Sequence, residues 1–251
     1  DARMPLIVLS IIVQIALVVH VMRSGRQTYW IYLIVFMPVV GSIAYFIVEI
    51  LPELLAGRHA RGAFRKIRKT LDPEADIRQR ERLHKLSGSV DAARKLAEEL
   101  VSAGRYVEAI RHYQDALTGL YEHDPDLMLG LAGAQFGNGE FAQARDTLDT
   151  LRARNPEFRS SEGHLLYARS NEECGDLGKA EEEYRAVAAY YPGSEARLRY
   201  ARLLERLDKS QQALSVYEDL VTNAELAPRH YRRAQKEWID EARNSIKRLK
   251  T

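Results

Sequence analysis

The chain has 251 residues, with 37 Lys and Arg against 35 Asp and Glu, a formal net charge of +2. A net charge so small does not imply a nucleic-acid partner, and none is expected, because phosphate-backbone binding needs a clustered excess of cations; charge matters here only locally. Cys174 is the only cysteine, which excludes an intrachain disulfide and a Cys-based zinc site and fits a reducing compartment.

Two apolar runs open the chain. Met4 to Met22 carries only Gln14 and His20 as strongly polar members, and at about 1.5 Å per residue it matches a hydrocarbon core of ~30 Å. Arg3 is the sole positive charge before it and no small-x-small site precedes Arg23, so a retained helix is expected rather than a cleaved signal peptide. Tyr29 to Leu51 is the second run, with Tyr29, Trp30 and Tyr32 at its start, where amphipathic rings favour the headgroup zone. The short link Ser24 to Thr28 makes the two antiparallel neighbours, a transmembrane hairpin over residues 4–51. Pro38 predicts a kink, and Gly41, Ser42 and Ala44 predict close helix approach within the hairpin. A homo-oligomer seam through the same small-residue face is compatible with this pattern. Glu49 lies near the end of the second run, where a carboxylate reaches the interface, and is not read as an ion-pathway residue.

Arg23 and Arg26 lie in the link, against Arg58, Arg61, Arg65, Lys66, Arg68 and Lys69 after the second run. This asymmetry predicts both termini on the cytoplasmic side of a bacterial inner membrane. The six cations form a membrane-surface collar that meets anionic lipid, each worth up to about 1 kcal/mol. Leu71 to Leu86, rich in Asp, Glu and Arg after Pro73, predicts a helical spacer, so that collar and spacer cover residues 52–89.

Trp30, Pro38-Val39-Val40-Gly41 and Tyr45 together resemble the two-helix N-terminal segment of cardiolipin synthases and phospholipase D-related membrane proteins, over about residues 5–50. The resemblance implies an anchor. The chemistry of those enzymes uses paired His-x-Lys-x4-Asp motifs, and none of the seven histidines here fits: His84 is followed at once by Lys85.

Beyond the collar the chain repeats itself. Ala97, Ala132, Ala168 and Ala201 are each followed after twelve residues by Ala109, Ala144, Ala180 and Ala213. Four positions on come Tyr113, Leu148, Tyr184 and Tyr217, and three further come Ala116, Leu151, Val187 and Leu220. Small residues at both alanine positions let two antiparallel helices approach, while the large residue fills the space against the next copy. Gly104, Gly139 and Gly175 stand five residues before the second alanine, where a left-handed helix cap favours glycine, and Asp208 replaces it in the fourth copy. Pro156 and Pro192 end the second and third copies; the first runs on to Pro125, which predicts a longer second helix or a looser connection.

This pattern resembles the tetratricopeptide repeat, whose period is about 34 residues; the spacings here are 35, 36 and 33. The expected fold is all-α: the hairpin, then a solenoid of about four such repeats over residues 90–224, then a capping helix over 225–251. In that last segment Tyr231, Ala234, Trp238, Ala242, Ile246 and Leu249 recur as an apolar stripe opposite a basic face.

The resemblance implies a groove lined by the first helix of each repeat. By register its residues are Arg94, Leu129, Phe136, Leu165, Arg169, Leu198 and Arg202, with Glu98, Glu172 and Glu205 beside them. The arginines can pair with a partner's carboxylates, or with those glutamates on a solvated wall. The Lys and Asn constellation of chaperone-tail-binding repeats is absent at the matching positions. Glu181-Glu182-Glu183 reads as a solvated face, Cys174 as a small packing residue, and His164 and His230 as lone histidines. No phosphate-cradling glycine loop or nucleophile elbow is present, and neither cofactor nor metal is expected. The chain therefore reads as a non-catalytic, membrane-anchored interaction scaffold that recruits a protein partner. The alternative is a non-catalytic regulatory subunit of a phospholipid-metabolising membrane enzyme.

Overall fold

The computed structural model describes residues 74–250, together with Leu17 and Val19, both helical. Apart from those two residues, the expected hairpin lies outside the described residues, as do the collar of Arg58, Arg61, Arg65, Lys66, Arg68 and Lys69 and the segment resembling cardiolipin synthases. Among the described residues, no helix is long and apolar enough to cross a membrane. The chain divides into two units, residues 1–75 and 76–251, and the repeats lie in the second.

Every regular element among the described residues is helical. The leading helix α1 (Ala75–Ser87) precedes four helical hairpins: α2 (Val90–Ser102) with α3 (Tyr106–Ala116), α4 (Pro125–Gly137) with α5 (Phe141–Arg154), α6 (Ser161–Glu173) with α7 (Leu177–Ala188), and α8 (Glu195–Arg206) with α9 (Ser210–Leu226). Two further helices close the array, α10 (Arg229–Ala234) and α11 (Lys236–Leu249).

All eight register alanines have no exposed surface. A methyl group at each crossing is what allows two backbones to come together there. The large residue four positions on is buried in every copy: Tyr113, Leu148, Tyr184 and Tyr217. Burial is continuous along the array, because each cluster takes side chains from the next hairpin. Leu127 and Leu131 of α4 join the α2–α3 core, with Ile77 of α1 on its other side. Tyr167 of α6 joins α4 and α5, and Leu203 of α8 joins α6 and α7.

The turn inside each hairpin is made the same way four times. Gly104, Gly139, Gly175 and Asp208 all take positive φ, between 59° and 83°. The next residue's N–H then reaches back five residues to a carbonyl: Arg105 to Leu100, Glu140 to Gln135, Asp176 to Asn171 and Lys209 to Leu204, at 2.9–3.0 Å. This is the Schellman motif, which satisfies carbonyls that a helix end would otherwise leave unpaired. Helix starts are capped by side chains in three of the four first helices: Ser89 accepts the Ala92 N–H, Asp124 accepts from Asp126 and Leu127, and Ser160 accepts from Gly163.

Two expectations about connections are resolved. The late Pro125 reflects a looser link and not a longer helix: α3 stops at Ala116, and a 3-10 turn over Gly119–Tyr121 fills the gap. The single capping helix is corrected to two, because the chain breaks at Gln235. There the Gln235 side-chain oxygen accepts the Ser194 N–H at 2.9 Å, and the Tyr231 hydroxyl lies 3.2 Å from Ser194 Oγ. Tyr231 and Ala234 are thereby taken out of the apolar stripe, which runs instead through Trp238, Ile239, Ala242, Ile246 and Leu249 against α8 and α9.

Candidate protein-binding groove

The first helix of the second repeat, α4, carries three glycines on two different faces. A Cβ on Gly130 would enter the Tyr113 ring and one on Gly137 would enter the Tyr106 ring, so both glycines exist to let α3 pack against the α4 backbone. Gly133 is different: nothing lies within 4 Å of where its Cβ would be. That open space is part of a cavity of about 510 Å³ lined by Val101, Tyr106, Gly133, Phe136, Gly137, Gly139, Phe141, Leu166, Arg169 and Glu173. The ends of three successive first helices and the starts of two second helices thus share one concave site.

Phe136 and Arg169 are the centre of it. The Phe136 ring meets Phe141 edge-on, with centroids 5.0 Å apart. The Arg169 guanidinium lies 4.4 Å from the Phe136 centroid, a cation–π contact across two repeats. Among the described residues Arg169 forms no ion pair. Burial pushes its guanidinium below the usual arginine range, and Arg199 adds repulsion. The charge is therefore held on an aromatic face with no carboxylate in ion-pair contact, while Glu195 and Glu173, the latter also lining the cavity, act on it from further off. An incoming carboxylate would offset that desolvation, and Phe136, Phe141 and Leu166 offer an apolar wall beside it.

The other groove candidates have different surroundings. Leu165 and Leu198 are corrected: both are core, 3% and 0% exposed, Leu165 in the α6–α7 core that α8 completes and Leu198 in the α8–α9 core that α11 completes. Leu129 is half-buried and packs on the α4–α5–α6 core. Arg94 is committed to its own helix, reaching Glu98 at 2.6 Å and Asp91 at 3.1 Å. Arg202 grips Glu241 of α11, with its Nε at 2.7 Å, and so fastens the closing helix. Glu172 and Glu205 also do structural work. Each accepts the hydroxyl of the large residue of its own repeat, Tyr184 and Tyr217, at 2.7 Å. Each is also met by an arginine from further along the array, Glu172 by Arg206 of α8 and Glu205 by Arg248 of α11. Burial and these carboxylates push both tyrosines well above the usual phenol range.

Three further readings are corrected by the geometry. His164 is not alone: Nε2 lies 2.6 Å from Glu183 and Nδ1 lies 2.5 Å from the Tyr190 hydroxyl. Glu183 is correspondingly not part of a solvated face. It is 6% exposed, with Lys179 at 3.0 Å and Arg152 at 3.5 Å completing its surroundings. His164 first, then Lys179 and Arg152, hold its carboxyl down to about 2 against the opposing effect of burial. Cys174 is an exposed helix cap and not a packing residue. Among the described residues no group of three or more His, Cys, Asp or Glu is placed to hold a metal ion.

Sequence register alone does not find Tyr106, Phe141, Leu166 or Gly133. Tyr106 and Phe141 directly follow the turn residue pairs Gly104-Arg105 and Gly139-Glu140, and that shared position is the signal that marks them.

Comparisons with known proteins agree with this architecture. Two family models, each described as tetratricopeptide repeat, match residues 100–170 and 165–228. No curated protein matches. Among solved structures, a TPR protein of Thermus thermophilus superposes with a TM-score of 0.52 at 18% identity, covering 68% of this chain and 88% of that one. MamA of Desulfovibrio magneticus gives 0.54 at 13%, covering 64% and 91%. A tetratricopeptide repeat protein from Parabacteroides merdae gives 0.53 at 16%, covering 68% and 65%. At these identities the likeness shows the fold alone.

Proposed function

Residues 100–228 of the chain are tetratricopeptide repeats, and from that premise we propose a membrane-anchored scaffold that recruits a partner protein through the Phe136–Arg169 groove. The repeats indicate protein–protein interaction, and no enzyme family is indicated. One observation carries the choice of site: Arg169 is half-buried on the Phe136 ring with no carboxylate partner among the described residues, beside the open space over Gly133. The partner segment this fits is a peptide with an acidic group next to an apolar side chain. Anchoring rests on the two apolar runs over residues 4–51 and on six cations after them against two between them. The same pattern supports a bacterial inner membrane with the repeats on the cytoplasmic side and the collar against lipid headgroups.

The test is a crosslinking pull-down from native membranes with the full chain and a Phe136→Ala/Arg169→Glu variant. Arg202 is left intact, since its loss would loosen α11 and confuse the result. A partner enriched by the wild type and lost from the variant supports the proposal. The same partners recovered with both would move binding away from this groove.

A further inference from the structure

The corner at Gln235 creates a second concavity, of about 350 Å³, where α9, α10 and α11 meet. Its floor includes Ala224 and Ile239, both buried. Its walls are charged: Arg229, Arg232, Arg233, Lys236 and Arg243, against the single carboxylate Asp240. Arg243 is occupied, at 3.4 Å from Asp240 and 3.7 Å from Glu225. The other four make no ion pair among the described residues. In a chain whose overall charge is only +2, five cations around one small cavity is a strong local imbalance.

The arrangement is held and not incidental. Ser194, in the link before α8, binds both Gln235 and Tyr231, and so fixes the angle at which α10 meets α11. An unbroken helix would spread Arg229 and Arg243 along its length; the corner turns them to one cavity. We infer that this corner is a binding site for a phosphate group, taken either from an anionic phospholipid headgroup or from a soluble phosphate compound. Phosphate fits better than a carboxylate because several guanidinium forks can each engage a different oxygen of one dianionic or diester group. The concave shape also favours a compact anion over a flat surface contact. The site is separate from the Phe136–Arg169 groove, and neither depends on the other.

The test uses the full chain in a neutral detergent at about 0.15 M salt. Isothermal titration measures binding of inorganic pyrophosphate and, separately, of a short-chain phosphatidylglycerol below its micelle concentration. Two charge-matched variants are compared, Arg232→Glu/Arg233→Glu at the corner and Lys85→Glu/Arg111→Glu on α1 and α3. Thermal unfolding of each confirms that the fold is kept, as expected for exposed side chains. The corner variant is expected to lose roughly tenfold or more in affinity, given the strength of a single basic contact near an anion, and the control less than about twofold. Binding of pyrophosphate alone assigns a soluble phosphate source, and binding of the lipid assigns a headgroup. Binding of neither, or equal loss in the two variants, overturns the site.

Discussion

Glycines 130 and 133 stand three residues apart on α4, and substitution by alanine has opposite signs at the two positions. At Gly130 the added methyl meets the buried Tyr113 ring, so Gly130→Ala is expected to cost about 1–3 kcal/mol of overpacking. At Gly133 it meets open space, so only helix propensity acts and Gly133→Ala should gain roughly 0.5–1 kcal/mol. Chemical denaturation of the two variants checks both, and loss of stability at Gly133 would mean that the groove floor is filled. Glu183 gives a pH-dependent prediction. Its folded-state carboxyl is held at about 2, below its ordinary value of 4.5, so its contribution is present above about pH 4.5 and is lost as the pH falls towards 2. Glu183→Gln should therefore cost roughly 1–3 kcal/mol at neutral pH, and the gap to the wild type should close over that acid window in unfolding curves. A gap that stays constant with pH would show that the carboxylate charge is not what His164, Lys179 and Arg152 stabilise.

Each helical hairpin is built from a few positions that the sequence displays openly. The alanine pairs set where two helices cross, and the glycines five residues before the second alanine set the turn, so register, turn chemistry and hairpin number were all legible. Depth was not. Arg94, Leu165 and Leu198 occupy the same register position in three copies, yet Arg94 stays at the surface while Leu165 is enclosed in a core completed by α8 and Leu198 in one completed by α11. The register fixes an angle around the helix, and whether that angle is covered depends on the neighbour and on the residue's own polarity. Arg202 was misread for a related reason: its partner Glu241 lies 39 residues away, on a helix whose bend at Gln235 no local pattern announces. Replacing Arg202 with Ala is expected to cost roughly 0.5–1 kcal/mol, as for a half-exposed ion pair, with thermal unfolding as the readout. The turn offers an element-scale gain. Asp208 holds a positive φ of 59° where the other copies use glycine. Asp208→Gly should add roughly 0.5–1 kcal/mol, the relieved strain outweighing the greater freedom of glycine in the unfolded chain. A lower melting temperature for that variant would contradict this account of the turn.

Along the array, each repeat completes its core with side chains from the next, and the closing helices cover the last one, so the solenoid presents continuous surfaces to a partner. The groove at Phe136 and Arg169 draws on three successive repeats, which is why single-copy patterns do not reveal it. Only Phe136 and Arg169 of the seven register candidates come together there, joined by side chains from the starts of α3 and α5. The most direct test of partner recruitment is a photo-crosslinking residue placed in the full chain at position 133, on the groove floor, and separately at Gln143, exposed on α5. The account predicts a discrete protein adduct from position 133 in native membranes that disappears when Arg169→Glu is added. Adducts from position 143 alone, or an adduct at 133 indifferent to Arg169, would contradict it.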